Sequence, residues 1–184
     1  MITYNIVKKL SELEALVLDV DGVLTPGSLE YLDDGNQGKF FDVRDGLGLV
    51  ALTGLGIQLA IITGKSSELV ERRASELRVK DLYQGYSYKV PALDDFLSKR
   101  GLKADRVGFV GDDVIDIPAM ERCGFSACPA NSVFAVRRLA HWTTRASSGQ
   151  GCLRELAEMI ISAKTGCFPP DKFLIDWARE LEIR

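Results

Sequence analysis

The apolar run Ala15-Leu16-Val17-Leu18 breaks off at Asp19-Val20-Asp21-Gly22-Val23-Leu24-Thr25. A short run with no polar position, ended by a glycine turn, reads as a strand buried on both faces inside a parallel sheet. Acids at the carboxyl end of such a strand lie where open α/β sheets bind ligands. Two carboxylates one residue apart repel each other unless a cation or a shared proton settles them. The pair therefore points to a divalent cation together with acid–base chemistry.

The rest of the chain repeats the pattern. Strands are predicted over 15–19, 57–62, 81–84, 107–110 and 124–128, and helices over 45–55, 66–77, 89–100, 113–122, 132–138 and 151–164. This alternation predicts an α/β fold, a parallel sheet covered by helices. Leu69, Arg73 and Leu77 fall one turn apart, as do Leu93 and Leu97 with Phe96 beside them, giving one apolar stripe. One insertion interrupts the alternation: between Thr25 and Asp45, strand-like pieces flank Asp33-Asp34-Gly35-Asn36, a strong turn sequence. A lone hairpin is marginal in water, so it must pack on its own domain or on another subunit. After Thr165, Pro169-Pro170 interrupts the helix. Asp171 can then cap a short helix carrying Phe173, Leu174, Trp177 and Leu181, which needs a surface on this domain or a neighbouring subunit. The expected division is one domain over 1–164, with the hairpin insertion at 25–45 and a tail at 165–184.

With 184 residues the chain suits one domain, and a net charge of −3 offers no basic field for nucleic acid. No apolar stretch is long enough for a membrane span or a signal peptide. Cys123, Cys128, Cys152 and Cys167 lack CxxC spacing and His141 is the one histidine, which argues against zinc and disulfides and for reduced thiols in a cytoplasmic protein.

Further groups sit at strand ends or helix starts. Ile61-Ile62-Thr63-Gly64-Lys65 runs from a strand toward a helix amino terminus, where a hydroxyl and backbone N–H groups suit a phosphate oxygen. Lys89 opens a helix. Val107-Gly108-Phe109-Val110-Gly111-Asp112-Asp113-Val114-Ile115-Asp116 repeats the strand, glycine turn and clustered acids. Singly, each has a plainer role as a cap, a turn residue or a solvated lysine. Their occurrence in order, each after a predicted strand, is what carries the reading.

In that order the motifs resemble those of haloacid dehalogenase superfamily phosphatases: Asp19-x-Asp21-Gly22, Thr63-Gly64, Lys89, and Gly111-Asp112-Asp113-x-x-Asp116. Phe41-Asp42-Val43-Arg44-Asp45-Gly46, Leu82-Tyr83-Gln84-Gly85 and Gly151-Cys152-Leu153-Arg154-Glu155 resemble the cap-less branch that includes the 3-deoxy-D-manno-octulosonate 8-phosphate phosphatases. The resemblance implies a Rossmann-like three-layer sandwich with a hairpin after the first motif, assembled as a homotetramer through the hairpins. It implies hydrolysis of a phosphorylated sugar acid, with Asp19 as nucleophile and Asp21 as general acid and base. Mg2+ would be held by Asp19, the backbone carbonyl of Asp21, and Asp112, with Asp113 and Asp116 orienting its waters and Lys89. Thr63, Gly64 and Lys89 would hold the phosphoryl group. Arg44, Lys65 and Arg154 are candidates for the substrate carboxylate. Two departures bear on the substrate: Lys65 stands where arginine is common, and Gln150 where Gly-Gly-Arg-Gly is usual. A nonulosonate 9-phosphate is the nearest alternative substrate. A non-catalytic oligomerisation module is the alternative of a different class, and a mutase or phosphotransferase is disfavoured by the missing cap.

Overall fold

A computed structural model describes residues 3–31 and 37–181. Its centre is a parallel sheet of six strands: β1 (Ala15–Leu18), β4 (Gln58–Thr63), β5 (Asp81–Gln84), β6 (Val107–Val110), β7 (Phe125–Cys128) and β8 (Trp142–Thr143). The spatial order is β5-β4-β1-β6-β7-β8. The chain thus winds outward from β1 in one direction, then returns and winds outward in the other. The crevice beyond the carboxyl ends of β1 and β6 lies at this reversal, where such sheets bind ligands.

Side chains alternate across the sheet and divide the core in two. Leu16, Leu18, Ile61 and Val110 face helices α2 (Val43–Gly54), α3 (Glu68–Glu76) and α7 (Cys152–Thr165). Ala15, Val17, Ile62 and Phe109 face α4 (Val90–Arg100), α5 (Ile117–Arg122) and α6 (Phe134–Leu139). The result is the helix-covered parallel sheet that the alternation of runs predicts, in the three-layer form that the resemblance implies.

Four details differ from the sequence reading. Helix α1 (Tyr4–Ser11) packs on α7, although its mixed composition gives no clear signal and Leu10 is its one fully buried residue. Strand β8 has two half-buried residues and no periodicity to read. The segment 113–122 divides into a 3₁₀ turn, Val114–Asp116, and α5, because Asp113 and Asp116 close a capping box and Pro118 starts a new helix. Helix α3 buries Val70 and Ala74, with Leu77 after it, and leaves Leu69 exposed.

The insertion forms β2 (Glu30–Tyr31) antiparallel to β3 (Gln37–Gly38), while the turn Asp33–Asn36 lies outside the described residues. The tail forms α8 (Asp171–Leu181), whose Leu174 is buried against the α2–α7 side of the core with Phe173 and Trp177 beside it. The Leu181 side chain is outside the described set. A Cβ at Gly54 would stand 2.7 Å from the Trp177 indole nitrogen, so that glycine lets the ring lie against the end of α2. Of the two surfaces open to this helix, it uses its own domain. All four cysteines are free, and no described helix is long and apolar enough to cross a membrane.

Candidate active site

The Asp19 N–H donates to the Val110 carbonyl at 3.0 Å, which ties the end of β1 to the end of β6. The chain then turns through Gly22 (φ +93°) in the left-handed region open to glycine. A Cβ there would lie 2.1 Å from Asp112 Oδ2, so the glycine also allows the second acidic loop to press against the first. Gly111 plays a similar part: its absent Cβ leaves room for the Asp116 side chain to fold back under its own loop. There Asp116 Oδ2 accepts from the N–H groups of Asp112 (2.9 Å) and Asp113 (3.2 Å).

Lys89 reaches this point from the turn before α4. Its side chain is fully buried, and its ammonium sits 2.6 Å from Asp19 Oδ1 and closer still to Asp116 Oδ1. Oxygens of Asp19, Asp112 and Asp116 lie within 4.8 Å of one another. One ammonium therefore faces three carboxylates. Burial, opposed by Lys89 and reinforced by Asp116, pushes Asp19 up to about 6. Burial and repulsion from Asp19, Asp116 and Asp113 push Asp112 to about 7. Burial would lower Lys89, but Asp19 and Asp116 outweigh it and hold the ammonium above the usual lysine range. A cluster this short of positive charge, made of hard oxygen donors, fits a divalent cation. Asp116 is already engaged by Lys89 and two backbone N–H groups, whereas Asp112 is half-exposed and turned toward the Gly22 loop.

Other sequence candidates separate. Thr63 ends β4, next to β1, and is buried, while Gly64 and Lys65 follow at the rim with Lys65 exposed. Asp21 is half-buried beside Asp19. Asp113 is exposed and accepts from the Val114 N–H at 2.6 Å, so it serves its own turn and does not touch Lys89. Arg44 is exposed, pairs with Asp42 and donates to the Gln150 carbonyl. Arg154 pairs with Glu158. The loop Ser148–Gly151 nonetheless sits at the site: Gly149 N–H donates to the Val23 carbonyl at 3.1 Å, and Gly151 N–H donates to Asp45 at 3.3 Å. The sequence reading missed Lys39, which pairs with Asp21 from the residue just after the return strand of the hairpin. A lone lysine beside Phe40-Phe41 gives no signal of such a contact.

The Gly22 contact yields a prediction. Gly22→Ala should weaken divalent-cation binding, probed with Mg2+, by about 10-fold or more, because Asp112, one of the three clustered oxygen donors, must retreat from the added methyl. Isothermal titration with Mg2+ checks it, and unchanged affinity would refute the close-packing argument.

No family model matches the chain. It is 37% identical over 163 residues to the 3-deoxy-D-manno-octulosonate 8-phosphate phosphatase of Escherichia coli K12, covering 89% of this chain and 87% of that one. Among solved structures, the 3-deoxy-D-manno-octulosonate 8-phosphate phosphatase of Moraxella catarrhalis, in complex with magnesium, phosphate and KDO, superposes with a TM-score of 0.89 at 35% identity, covering 95% and 99% of the two chains. The cobalt-bound form of the deoxy-D-mannose-octulosonate 8-phosphate phosphatase from Haemophilus influenzae gives a TM-score of 0.82 at 35% identity, covering 85% and 92% of the two chains.

Proposed function

Since the chain belongs to the 3-deoxy-D-manno-octulosonate 8-phosphate phosphatase family of the haloacid dehalogenase superfamily, we propose that it hydrolyses 3-deoxy-D-manno-octulosonate 8-phosphate to the sugar acid and phosphate with Mg2+. The observation that carries this reading is the buried Lys89–Asp19 pair within the acidic cluster at the reversal of the sheet. A carboxylate must be dry and correctly aimed to attack phosphorus, and an adjacent ammonium offsets the charge that would otherwise repel the phosphate.

In the first half-reaction an Asp19 oxygen bonds to phosphorus and the ester P–O bond breaks. The Asp21 proton passes to the departing sugar oxygen. In the second, Asp21 takes a proton from the water whose oxygen bonds to phosphorus, the Asp19 oxygen–phosphorus bond breaks to restore the Asp19 carboxylate, and phosphate leaves. Thr63, the backbone at Gly64, and Lys89 hold the phosphoryl oxygens. Mg2+, when bound, supplies charge neutralisation at those oxygens, and Asp19, the Asp21 carbonyl and Asp112 are the groups to hold it. Asp116 orients Lys89 from behind, and Asp113 fixes the turn that carries Asp112. Arg44 and Lys65 are the residues this reading assigns to the substrate carboxylate, and the exposure of both supports it. The catalytic unit is 1–164, with 25–45 inserted and 165–184 appended. Exposed Leu29, Tyr31, Phe40 and Val43 around the hairpin support its burial against another subunit; the assembly in this proposal is a homotetramer, and its place is the cytoplasm.

Phosphate release with Mg2+ from octulosonate 8-phosphate, a nonulosonate 9-phosphate and simple sugar phosphates tests the proposal. Preference for the octulosonate ester is expected. Preference for the nonulosonate would make Lys65 and Gln150 the specificity switch, and no release from folded, metal-loaded protein would favour the non-catalytic module.

A further inference from the structure

Lys39 follows directly on β3, and only 8% of its side chain is exposed. Ordering and burying a lysine costs both side-chain entropy and ammonium hydration, so the group needs a strong partner. That partner is Asp21, across a separation of 18 residues. The Lys39 ammonium contacts Asp21 Oδ1, and the Thr25 hydroxyl lies 3.4 Å from the same atom. Both contacts close on one oxygen, and among the described residues Oδ2 receives no hydrogen bond.

The backbone that carries Lys39 is fixed on its far side. Phe41 packs against the core under the Arg73 guanidinium, 5.5 Å from its ring centre. Arg73 also donates to the Asp42 carbonyl at 3.2 Å, and the Asp42 side chain caps α2 through the Arg44 N–H at 2.7 Å. The reach of Lys39 toward Asp21 is therefore a built contact.

Resting on the phosphatase reading above, we propose that Lys39 is a positioning residue for the leaving-group proton: it pins Oδ1 of Asp21 and leaves Oδ2 to carry that proton. As Asp19 bonds to phosphorus and the ester bond breaks, the proton moves from Oδ2 to the departing oxygen. Lys39 gives up no proton and makes no bond. Its part is to fix the torsion of a half-buried carboxyl that would otherwise sample several rotamers, and correct orientation of a reacting group is worth orders of magnitude in rate. The inserted hairpin thus acts on the chemical step as well as on packing.

The test uses Lys39→Met, Lys39→Gln and Lys39→Arg on two simple monoesters without a carboxylate, an alkyl phosphate and p-nitrophenyl phosphate. The alkoxide needs a proton to leave, whereas the nitrophenolate does not. Because kcat/KM spans only the steps through departure of the leaving group, the later attack by water does not enter. For Lys39→Met, kcat/KM on the alkyl ester should fall about 30-fold or more while the aryl ester changes less than about 3-fold. Lys39→Arg should recover most of the alkyl loss. Equal loss on both esters, no loss on either, or a loss confined to the sugar acid substrate would overturn the assignment. Lys39→Gln carries the same comparison if Lys39→Met does not fold, and misfolding of both would reduce Lys39 to a structural ion pair. Wild-type protein inactive on every ester would instead overturn the phosphatase reading, and this inference with it.

Discussion

Asp19→Asn should lower kcat by a factor on the order of 10⁴ or more while leaving the fold intact. The amide keeps the shape of the carboxyl and an oxygen for Lys89, but it cannot form the aspartyl-phosphate. Its effect on stability should run opposite to its effect on activity. In the folded protein burial raises Asp19 from an ordinary 3.8 to about 6, so the folded form binds this proton more tightly than the unfolded chain does. Stability of the metal-free wild type should then fall as the pH rises from about 4 to 6, and Asp112, raised to about 7, extends the decline. Asp19→Asn removes one of these groups, so its melting temperature near neutral pH should equal or exceed that of wild type and depend less on pH. Thermal melts from pH 4 to 8 in chelator, beside phosphate-release assays in Mg2+, measure both halves. A variant that is inactive because it is unfolded would sink this account of the site.

Lys89→Met should be costly in both respects. The ammonium is enclosed between Asp19 and Asp116, and removing it leaves two buried carboxylates facing each other. Breaking a buried ion pair by deleting one partner costs about 3–5 kcal/mol. For a domain of this size that corresponds to a fall in melting temperature of about 10 °C. Activity should drop by a further factor of roughly 10² or more, because the charge that stabilises the transferring phosphoryl group is lost. Lowering the pH should restore part of the stability by protonating the stranded acids. Melting curves at pH 5 and 7.5 would decide it: an unchanged melting temperature at both would mean that Lys89 is not the counter-ion of the cluster.

Much of this was legible because the central strands are written as continuous apolar runs. Burial on both faces leaves no room for polar positions in Ala15–Leu18 or Val107–Val110, so the runs and the acids that end them stand out. What stayed hidden is whatever depends on a contact between segments. The string Gly111-Asp112-Asp113-x-x-Asp116 spells three acids, but only the capping turn decides that Asp116 folds back to Lys89 while Asp113 caps Val114. Lys39 reaches Asp21 only after the hairpin doubles back, and no local pattern encodes that return. Strand β8 is two residues long, too short for any periodicity, and its place on the sheet depends on pairing with β7. On α3, Leu69 and Val70 are adjacent and both apolar, so one-turn spacing does not choose between them; packing buries Val70 and Ala74 in place of Leu69 and Arg73, and buries Leu77 as the spacing predicts.

The two margins of the sheet end in different ways with one consequence. Asp81 is buried at the start of β5 and held by Lys99 and Arg100, which places charge along that outer border. At the opposite border β8 offers only Trp142 and Thr143, with Ser126 and Cys128 of β7 bound to His141 and Thr143. Neither border presents a long, uncharged template to a strand from another molecule. Copies of this chain are thereby discouraged from adding sheet to sheet into open-ended fibres. Concentrated protein should scatter light as a discrete particle and remain clear on storage.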